Sequence, residues 1–330
     1  MNEAAMPTKV AIRKIGRYSP RCMRDYRERF FRSGPLRIHF RDWGQPDNPP
    51  VVIVHGLRDH SHSFDELSRE LSRDYRVYAI DLRGHGDSES TPYYAFGHFV
   101  GDIRNMIRAL RLENPVVIGH SLGGEIVAQW AATFPDIARA IVLVEALGPP
   151  HHSIPWRLKR QRHSWKAIDR AQAGLPGLPD LEAAYARMRQ RNPRLTEARA
   201  RELTDLGTRA REDGTLEWKF DPMLVTLSVA GGFRLEWMLH CWSQITAPTL
   251  LLLGSECGEF WHNSPGAAYL PPEDLETRVD AFPNARFVEV PDAGHMIHFD
   301  QPERLLAEIR GFLQELPDET DSKPDAGAPA

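Results

Sequence analysis

The chain has 330 residues, 42% hydrophobic and 26% charged, which is the ordinary composition of a globular protein. Its formal net charge of −4 is too small to attract nucleic acid through bulk electrostatics, so no nucleic-acid partner is expected. No run of about eighteen apolar residues occurs, which argues against a membrane-spanning helix and a membrane partner.

The N-terminal segment, residues 1–30, is rich in Lys and Arg and is predicted to form a basic, partly frayed arm. An acidic surface as its partner is the alternative interpretation. The segment lacks the unbroken apolar stretch of a signal peptide, and Glu3, Asp25 and Glu28 do not fit a transit peptide. The three cysteines show neither metal-type spacing nor an even number, as expected of idle thiols in a reducing compartment. We therefore expect a cytoplasmic protein.

Short runs rich in β-branched residues or leucine predict buried parallel strands, because such strands are covered on both faces. The predicted parallel strands are Val51–His55, Val77–Ile80, Val116–Gly119, Ala140–Val144 and Thr249–Leu253. Leu36–Asp42 alternates apolar with polar residues and is predicted to open the sheet in antiparallel fashion. Arg286–Val290 also alternates, which fits a strand at an edge of the sheet.

Segments with helical periodicity lie between these strands. The predicted helices are Ser63–Leu71, Val100–Leu110, Gly123–Phe134 and Pro302–Leu313. Alternation of strands and helices predicts an α/β fold, in which helices flank both faces of a mostly parallel sheet.

The alternation stops after the sixth strand, Ala140–Val144, and resumes near Cys241. Residues 148–240 are predicted to form a helical cap, or lid, over the sheet. The predicted core therefore consists of residues 31–147 and 241–316. Residues 317–330 are acidic and rich in Pro and Ala, which predicts a disordered tail.

The strongest chemical signal is Gly119-His120-Ser121-Leu122-Gly123, between a predicted strand and a predicted helix. A sharp strand-to-helix turn lifts the serine hydroxyl above the sheet, and the flanking glycines remove side chains that would collide in it. The following helix N-terminus presents backbone N–H groups where an oxyanion can form. This context predicts Ser121 to be a nucleophile.

Further motifs occur in an order that resembles the α/β-hydrolase fold family. They are Val54-His55-Gly56-Leu57, the loop from Asp81 to Ser88 (Asp-Leu-Arg-Gly-His-Gly-Asp-Ser), and Gly294-His295 with Gln301-Pro302-Glu303. The resemblance covers nearly the whole chain outside the termini and the cap. It implies that His295 is the general base for Ser121 and that the Leu57 and Leu122 N–H groups form an oxyanion hole.

The acid of the triad is where the sequence departs from the family pattern. Most members carry it about three residues after the glycine that matches Gly254, and Cys257 stands there. Glu256 or Glu259 could replace it if the loop is shifted. Glu145, which follows the buried strand Ala140–Val144, is favoured because a buried carboxylate needs a partner. Some haloalkane dehalogenases and zearalenone-type lactonases resemble this placement.

A serine nucleophile predicts acyl transfer to water, because dehalogenases and epoxide hydrolases of this fold need Asp at that position. We expect hydrolysis of a carboxylic ester or lactone of a small hydrophobic substrate, without a metal or organic cofactor. A carbon–carbon bond hydrolase, an amidase, and a ligand receptor with negligible turnover are the alternatives. Aromatic residues of the cap either line the substrate pocket or pack the cap against the core. They include Trp156, Trp165, Trp218, Trp237 and Trp242.

Overall fold

The computed structural model describes residues 25–150, 153–228, 234–264 and 266–317. Residues 1–24 of the predicted arm and residues 318–330 of the predicted tail lie outside the described residues.

The strands follow the predicted ones closely. They are β1 (Tyr26–Ser33), β2 (Leu36–Trp43), β3 (Pro50–Val54), β4 (Arg76–Ile80), β5 (Val116–His120), β6 (Ala140–Val144), β7 (Thr208–Ala210), β8 (Leu216–Trp218), β9 (Thr249–Gly254) and β10 (Ala285–Val290). Eight of these described strands form one sheet in the order β1-β2-β4-β3-β5-β6-β9-β10. All neighbours from β4 to β10 pair in parallel, whereas β1 and β2 are antiparallel additions at one edge.

The helices of the described residues connect these strands. They are α1 (Asp65–Leu71), α2 (Phe96–Leu110), α3 (Leu122–Thr133), α4 (Ile154–Gln172), α5 (Leu181–Arg191), α6 (Glu197–Leu206), α7 (Leu235–Ser243), α8 (Gly258–His262), α9 (Pro272–Asp280), α10 (Ile297–Asp300) and α11 (Pro302–Glu315). Two 3-10 helices occupy Ser61–Phe64 and Pro222–Ser228. None of these helices combines the length and apolar character needed to cross a bilayer.

Helices cover both faces of the sheet because successive side chains of a buried strand point to opposite sides. In β3, Val52 and Val54 pack in the apolar layer that contains α2, α3 and α7. Val51 and Ile53 pack on the other side, in the layer that contains α1 and α11. The predicted α/β fold is therefore confirmed.

The edge strand β1 corrects the predicted boundary between arm and core. The sheet begins at Tyr26, so the last five residues of the predicted arm, 26–30, belong to the core. Most side chains of β1 are exposed, which explains its weak hydrophobic signal in the sequence. Its partner β2 runs antiparallel to β4, as predicted for the segment Leu36–Asp42.

The cap lies between β6 and β9 and differs from the prediction in two ways. It contains a short hairpin of β7 and β8 besides its helices, with Asp213-Gly214 in the turn and Gly214 in the left-handed region at φ 80°. Helix α7 begins inside the predicted cap, yet Met238 and Trp242 of this helix are buried in the core beside α3. The cap is tied to the core by the Tyr94 hydroxyl, which donates to Asp221 at 2.6 Å.

Candidate active site

Ser121 occupies the turn between β5 and α3. Its backbone is in the left-handed region, at φ 51° and ψ −120°, a conformation that costs a non-glycine residue about 1–3 kcal/mol. The turn is held by the Ser121 N–H, which donates to the Val144 carbonyl at 2.9 Å. A Cβ on Gly119 would lie 2.6 Å from the Gly123 carbonyl oxygen, so only glycine fits beneath the turn. The strained turn presents the Ser121 hydroxyl at the carboxyl edge of the sheet.

His295 lies on the loop after β10 and reaches the serine. Its Nε2 atom is 2.9 Å from the Ser121 Oγ. The His120 Nε2–H donates to the His295 carbonyl at 2.8 Å, and Asp300 accepts a hydrogen bond from the Gly294 N–H at 2.8 Å. Burial lowers the pKa of His295 to about 3, so its imidazole is neutral near pH 7. A neutral imidazole with Nε2 facing a hydroxyl can accept a proton.

Glu145 directly follows β6 and is the carboxylate that meets this histidine. Its Oε2 atom is 3.0 Å from the His295 Nδ1, and its Oε1 accepts from the Gly254 N–H at 2.5 Å. Its backbone is left-handed, at φ 56°, and its N–H donates to the Leu252 carbonyl at 2.8 Å. Burial raises the pKa of Glu145, and the Gly254 hydrogen bond opposes that rise. Because a carboxylate only accepts, it fixes the His295 proton on Nδ1 and leaves the Nε2 lone pair for Ser121.

The other two candidate acids point elsewhere. Both Glu256 and Glu259 form ion pairs with Arg194 of the cap; the Arg194 Nη2 lies 3.4 Å from the Glu259 Oε2. In the described structure, neither carboxylate accepts a hydrogen bond from His295. Cys257, at the position that is usually acidic, is a buried thiol whose pKa burial raises well above its ordinary value. The structure thus brings Ser121, His295 and Glu145 together and leaves Glu256 and Glu259 apart.

The loop after β3 faces the serine turn, because β3 and β5 are neighbours in the sheet. A Cβ on Gly56 would lie 3.3 Å from the Ser121 Cβ, so the backbone approaches the serine closely there. The His85 Nε2 holds the loop by accepting from the Arg58 N–H at 3.0 Å. Within the described chain, the N–H groups of Leu57 and Leu122 donate to no other residue. Both donors therefore remain available for a ligand oxygen.

Two aromatic residues beside the histidine were missed by the sequence analysis. The Phe260 ring stacks on His295 at 4.0 Å between centroids and is 58% exposed, and Trp261 meets the same imidazole edge to face. Both belong to α8, a helix too short for a periodic signal in the sequence. Their proximity to Cys257, three residues before Phe260, is the one sequence signal that could have drawn attention to them.

The aromatic residues predicted for the cap region fall into two groups. Trp242 is fully buried and stacks on Phe282, which is the role of a residue that joins helix to core. Trp218 is partly buried and likewise stacks on a phenylalanine, Phe220. Trp156, Trp165 and Trp237 form the second group and are 37%, 49% and 56% exposed.

Comparisons with known proteins identify the family of the chain. The family model described as "Alpha/beta hydrolase family" matches residues 51–308. A serine hydrolase-like protein of Danio rerio is 29% identical over 295 residues, which span 85% of this chain and 86% of the relative. The sn-1-specific diacylglycerol lipase ABHD11 of Mus musculus is 26% identical over 286 residues, or 84% of this chain and 85% of the relative. Among solved structures, a thioesterase domain from the curacin biosynthetic pathway superposes with a TM-score of 0.73 at 26% identity, covering 87% of this chain and 99% of that domain.

Proposed function

Because this chain belongs to the alpha/beta hydrolase family and is a hydrolase of that fold, we propose that it cleaves a carboxylic ester or lactone of a small hydrophobic substrate through an acyl-enzyme. The observation that carries the proposal is the continuous line of hydrogen bonds from Glu145 through His295 to Ser121. A hydrogen-bonded histidine between a serine in a strained turn and a buried carboxylate is the arrangement of a catalytic triad and is not expected of a purely structural histidine.

The three groups of the site have distinct roles in the proposed reaction. His295 Nε2 removes the proton from the Ser121 hydroxyl as the oxygen attacks the substrate carbonyl. The same proton then passes from His295 to the leaving alkoxide. His295 next removes a proton from a water molecule that attacks the acyl-enzyme, and it returns this proton to the Ser121 oxygen as the carboxylic acid leaves. Glu145 holds the imidazole in the correct tautomer and stabilises its charged form during both steps.

The negative charge of the tetrahedral intermediate develops on the carbonyl oxygen of the substrate. The N–H groups of Leu57 and Leu122 are free donors on the two loops that flank Ser121. We assign them to stabilise that oxygen, an interaction worth about 10²–10³ in rate for one donor. Leu122 adds the positive end of the α3 dipole, because it is the first residue of that helix.

The choice of an ester bond draws on the relatives. The relative from Mus musculus is a lipase and the superposed domain is a thioesterase, and enzymes of these two classes act on acyl groups bound to oxygen or sulfur. The exposed ring of Phe260 and the partly buried ring of Trp261, both beside His295, offer an apolar surface to an acyl or alcohol group.

A panel of purified substrates tests this function directly. Aryl and alkyl esters, lactones, thioesters, amides and a vinylogous diketone are assayed with the parent protein and with Ser121→Ala. We expect Ser121-dependent turnover of esters or lactones. If only the amides or only the diketone were turned over, the proposed function would be wrong and the protein would be an amidase or a carbon–carbon bond hydrolase. If no substrate of the panel were turned over, the protein would act as a ligand receptor.

The pH dependence of kcat/KM follows from the hydrogen-bonded pair Glu145–His295. Burial raises the pKa of Glu145 above its ordinary 4.5 and lowers that of His295 to about 3. Joined by a hydrogen bond, the two groups take up their next proton as one unit. As the pH falls, the pair takes up this proton before pH 4.5 is reached, and the protonated pair can no longer accept the Ser121 proton. The profile of kcat/KM against pH should therefore decline on its acid side at a pH above 4.5. In Glu145→Gln the limb of the residual activity should move to lower pH, and an unmoved limb would contradict the assignment.

Phe260→Ala is expected to lower kcat/KM for an aryl ester by about tenfold, since an apolar contact beside the reacting atoms is removed. Labelling of Ser121 by a fluorophosphonate should persist, because the hydrogen bonds of His295 do not involve Phe260. Phe30→Ala is a matched control: this phenylalanine is 45% exposed on β1, at the far edge of the sheet. Equal effects of the two substitutions on kcat/KM would show that Phe260 does not contact the substrate.

A further inference from the structure

A second cluster of chemically active side chains lies behind the candidate active site. One ligand atom from each of Asp59, His120 and His298 lies within 4.8 Å of those of the other two. The residues come from three segments that are distant in the sequence: Asp59 lies on the loop that carries Leu57, His120 is the last residue of β5, and His298 is the second residue of α10. None of the three belongs to the line formed by Ser121, His295 and Glu145.

The polar atoms of this cluster lack partners. The Asp59 Oδ2, the His120 Nδ1 and both ring nitrogens of His298 are buried and form no hydrogen bond with any described residue. His120 is 2% exposed and His298 is 6% exposed. A buried polar atom without a partner costs about 1–3 kcal/mol, so four such atoms in one place call for a ligand.

The hydrogen bonds that do exist determine which atoms can act as ligands. The His120 Nε2 faces the His295 carbonyl at 2.8 Å, and because a carbonyl only accepts, the His120 proton lies on Nε2. The His120 Nδ1 is therefore a bare lone pair. The other carboxylate oxygen of Asp59, Oδ1, accepts from the Ser63 hydroxyl, which leaves Oδ2 free as a second acceptor. A neutral His298 ring carries one N–H, which can satisfy at most one of these two acceptors, so the cluster keeps lone pairs that can bind a cation.

The surroundings restrict the arrangement further. The His298 ring is fixed by stacking on Phe64, with centroids 4.3 Å apart, and it contacts His120 edge to face at 4.6 Å. The neighbouring Arg199 guanidinium donates to Glu202 at 2.7 Å and to the His62 carbonyl at 2.9 Å, so it has other partners. The hydrogen bond from His120 to a backbone carbonyl is the outer contact that typically orients a metal-binding histidine.

We propose that Asp59, His120 and His298 bind a divalent transition-metal ion, for which Zn²⁺ is the best match to two imidazoles and one carboxylate. Ligand atoms about 2.1 Å from a tetrahedral zinc lie roughly 3.4 Å from one another, so small side-chain rotations bring the three groups into place. Water or a neighbouring group completes the fourth position. The ion joins the loop after β3, the end of β5 and helix α10. Its role is structural, since it takes no part in the reaction proposed above.

Zinc binding is measured on the full-length protein, prepared without a histidine tag and treated with a chelator. Titration against a chromophoric zinc chelator should give one tight equivalent per chain, and Zn²⁺ should raise the Tm. His298→Phe keeps the stacking on Phe64 but removes both nitrogens, and Asp59→Asn keeps the shape but removes the charge. Each should weaken binding by at least about 100-fold, since loss of an outer contact alone costs 10- to 100-fold.

His163→Phe serves as the control, because this histidine is exposed on α4 of the cap. It should bind Zn²⁺ like the parent. The proposal is overturned if the parent binds no tight zinc, in which case ordered water fills the cluster. It is also overturned if folded Asp59→Asn, checked by circular dichroism, binds zinc as tightly as the parent.

Discussion

Replacing Ser121 by alanine is expected to abolish labelling by a fluorophosphonate probe and to lower kcat by about 10⁴ or more, as removal of a triad nucleophile does. The reason is structural: Ser121 is the residue whose hydroxyl lies 2.9 Å from the neutral, base-competent Nε2 of His295. Mass spectrometry of the labelled parent should find the probe on Ser121, and initial rates on a responsive ester measure kcat.

Ser255→Ala is the matched control for this experiment. Ser255 is exposed on the loop after β9, next to Gly254, whose N–H binds Glu145. This variant should label like the parent. If the intact protein fails to label where a known serine hydrolase does, or if Ser121→Ala still labels, the nucleophile has been wrongly assigned. Labelling of the parent together with an absence of turnover across the substrate panel would identify a receptor instead.

The core of the fold could be predicted from the sequence because parallel strands are buried on both faces. Ala140–Val144 is five consecutive apolar residues, and the predicted bounds of this strand match the observed ones. The same burial made Glu145 conspicuous, since an ionisable group directly after such a strand needs a partner. Strand β1 gave no comparable signal: it covers one face only, and its Arg and Glu side chains point to solvent.

Contacts between distant segments could not be predicted in this way. Phe260 stacks on His295 only because α8 folds back over the loop after β10. Arg194 is one of many arginines in the cap, and nothing in its local sequence distinguishes the one that binds Glu256 and Glu259. The approach of His298 to Asp59 and His120 could not be predicted either, because α10, the loop after β3 and the end of β5 meet only in the folded protein.

Glu145→Gln is expected to lower kcat by three to four orders of magnitude, since loss of the triad acid typically costs about 10⁴. Glu256→Gln and Glu259→Gln should stay within about tenfold of the parent, the modest effect of groups outside the catalytic unit. They are natural controls, because both carboxylates lie on the loop and helix that follow β9 and pair with Arg194. Melting curves of all three variants separate catalytic loss from unfolding, since a Gln at a buried charged site can destabilise the protein.

The hydrogen bonds of Glu145 explain why so conservative a change should be so costly. The Gly254 N–H donates to Oε1, and the oxygen of a glutamine would keep that bond. The amide nitrogen would then face the His295 Nδ1, and because it only donates, the His295 proton would move to Nε2. Nε2 would carry a proton where the Ser121 hydroxyl needs a lone pair, so the base is disabled although the shape is kept. Should Glu145→Gln retain most of its kcat while Glu259→Gln loses it, the acid follows β9 and the usual layout of the family holds.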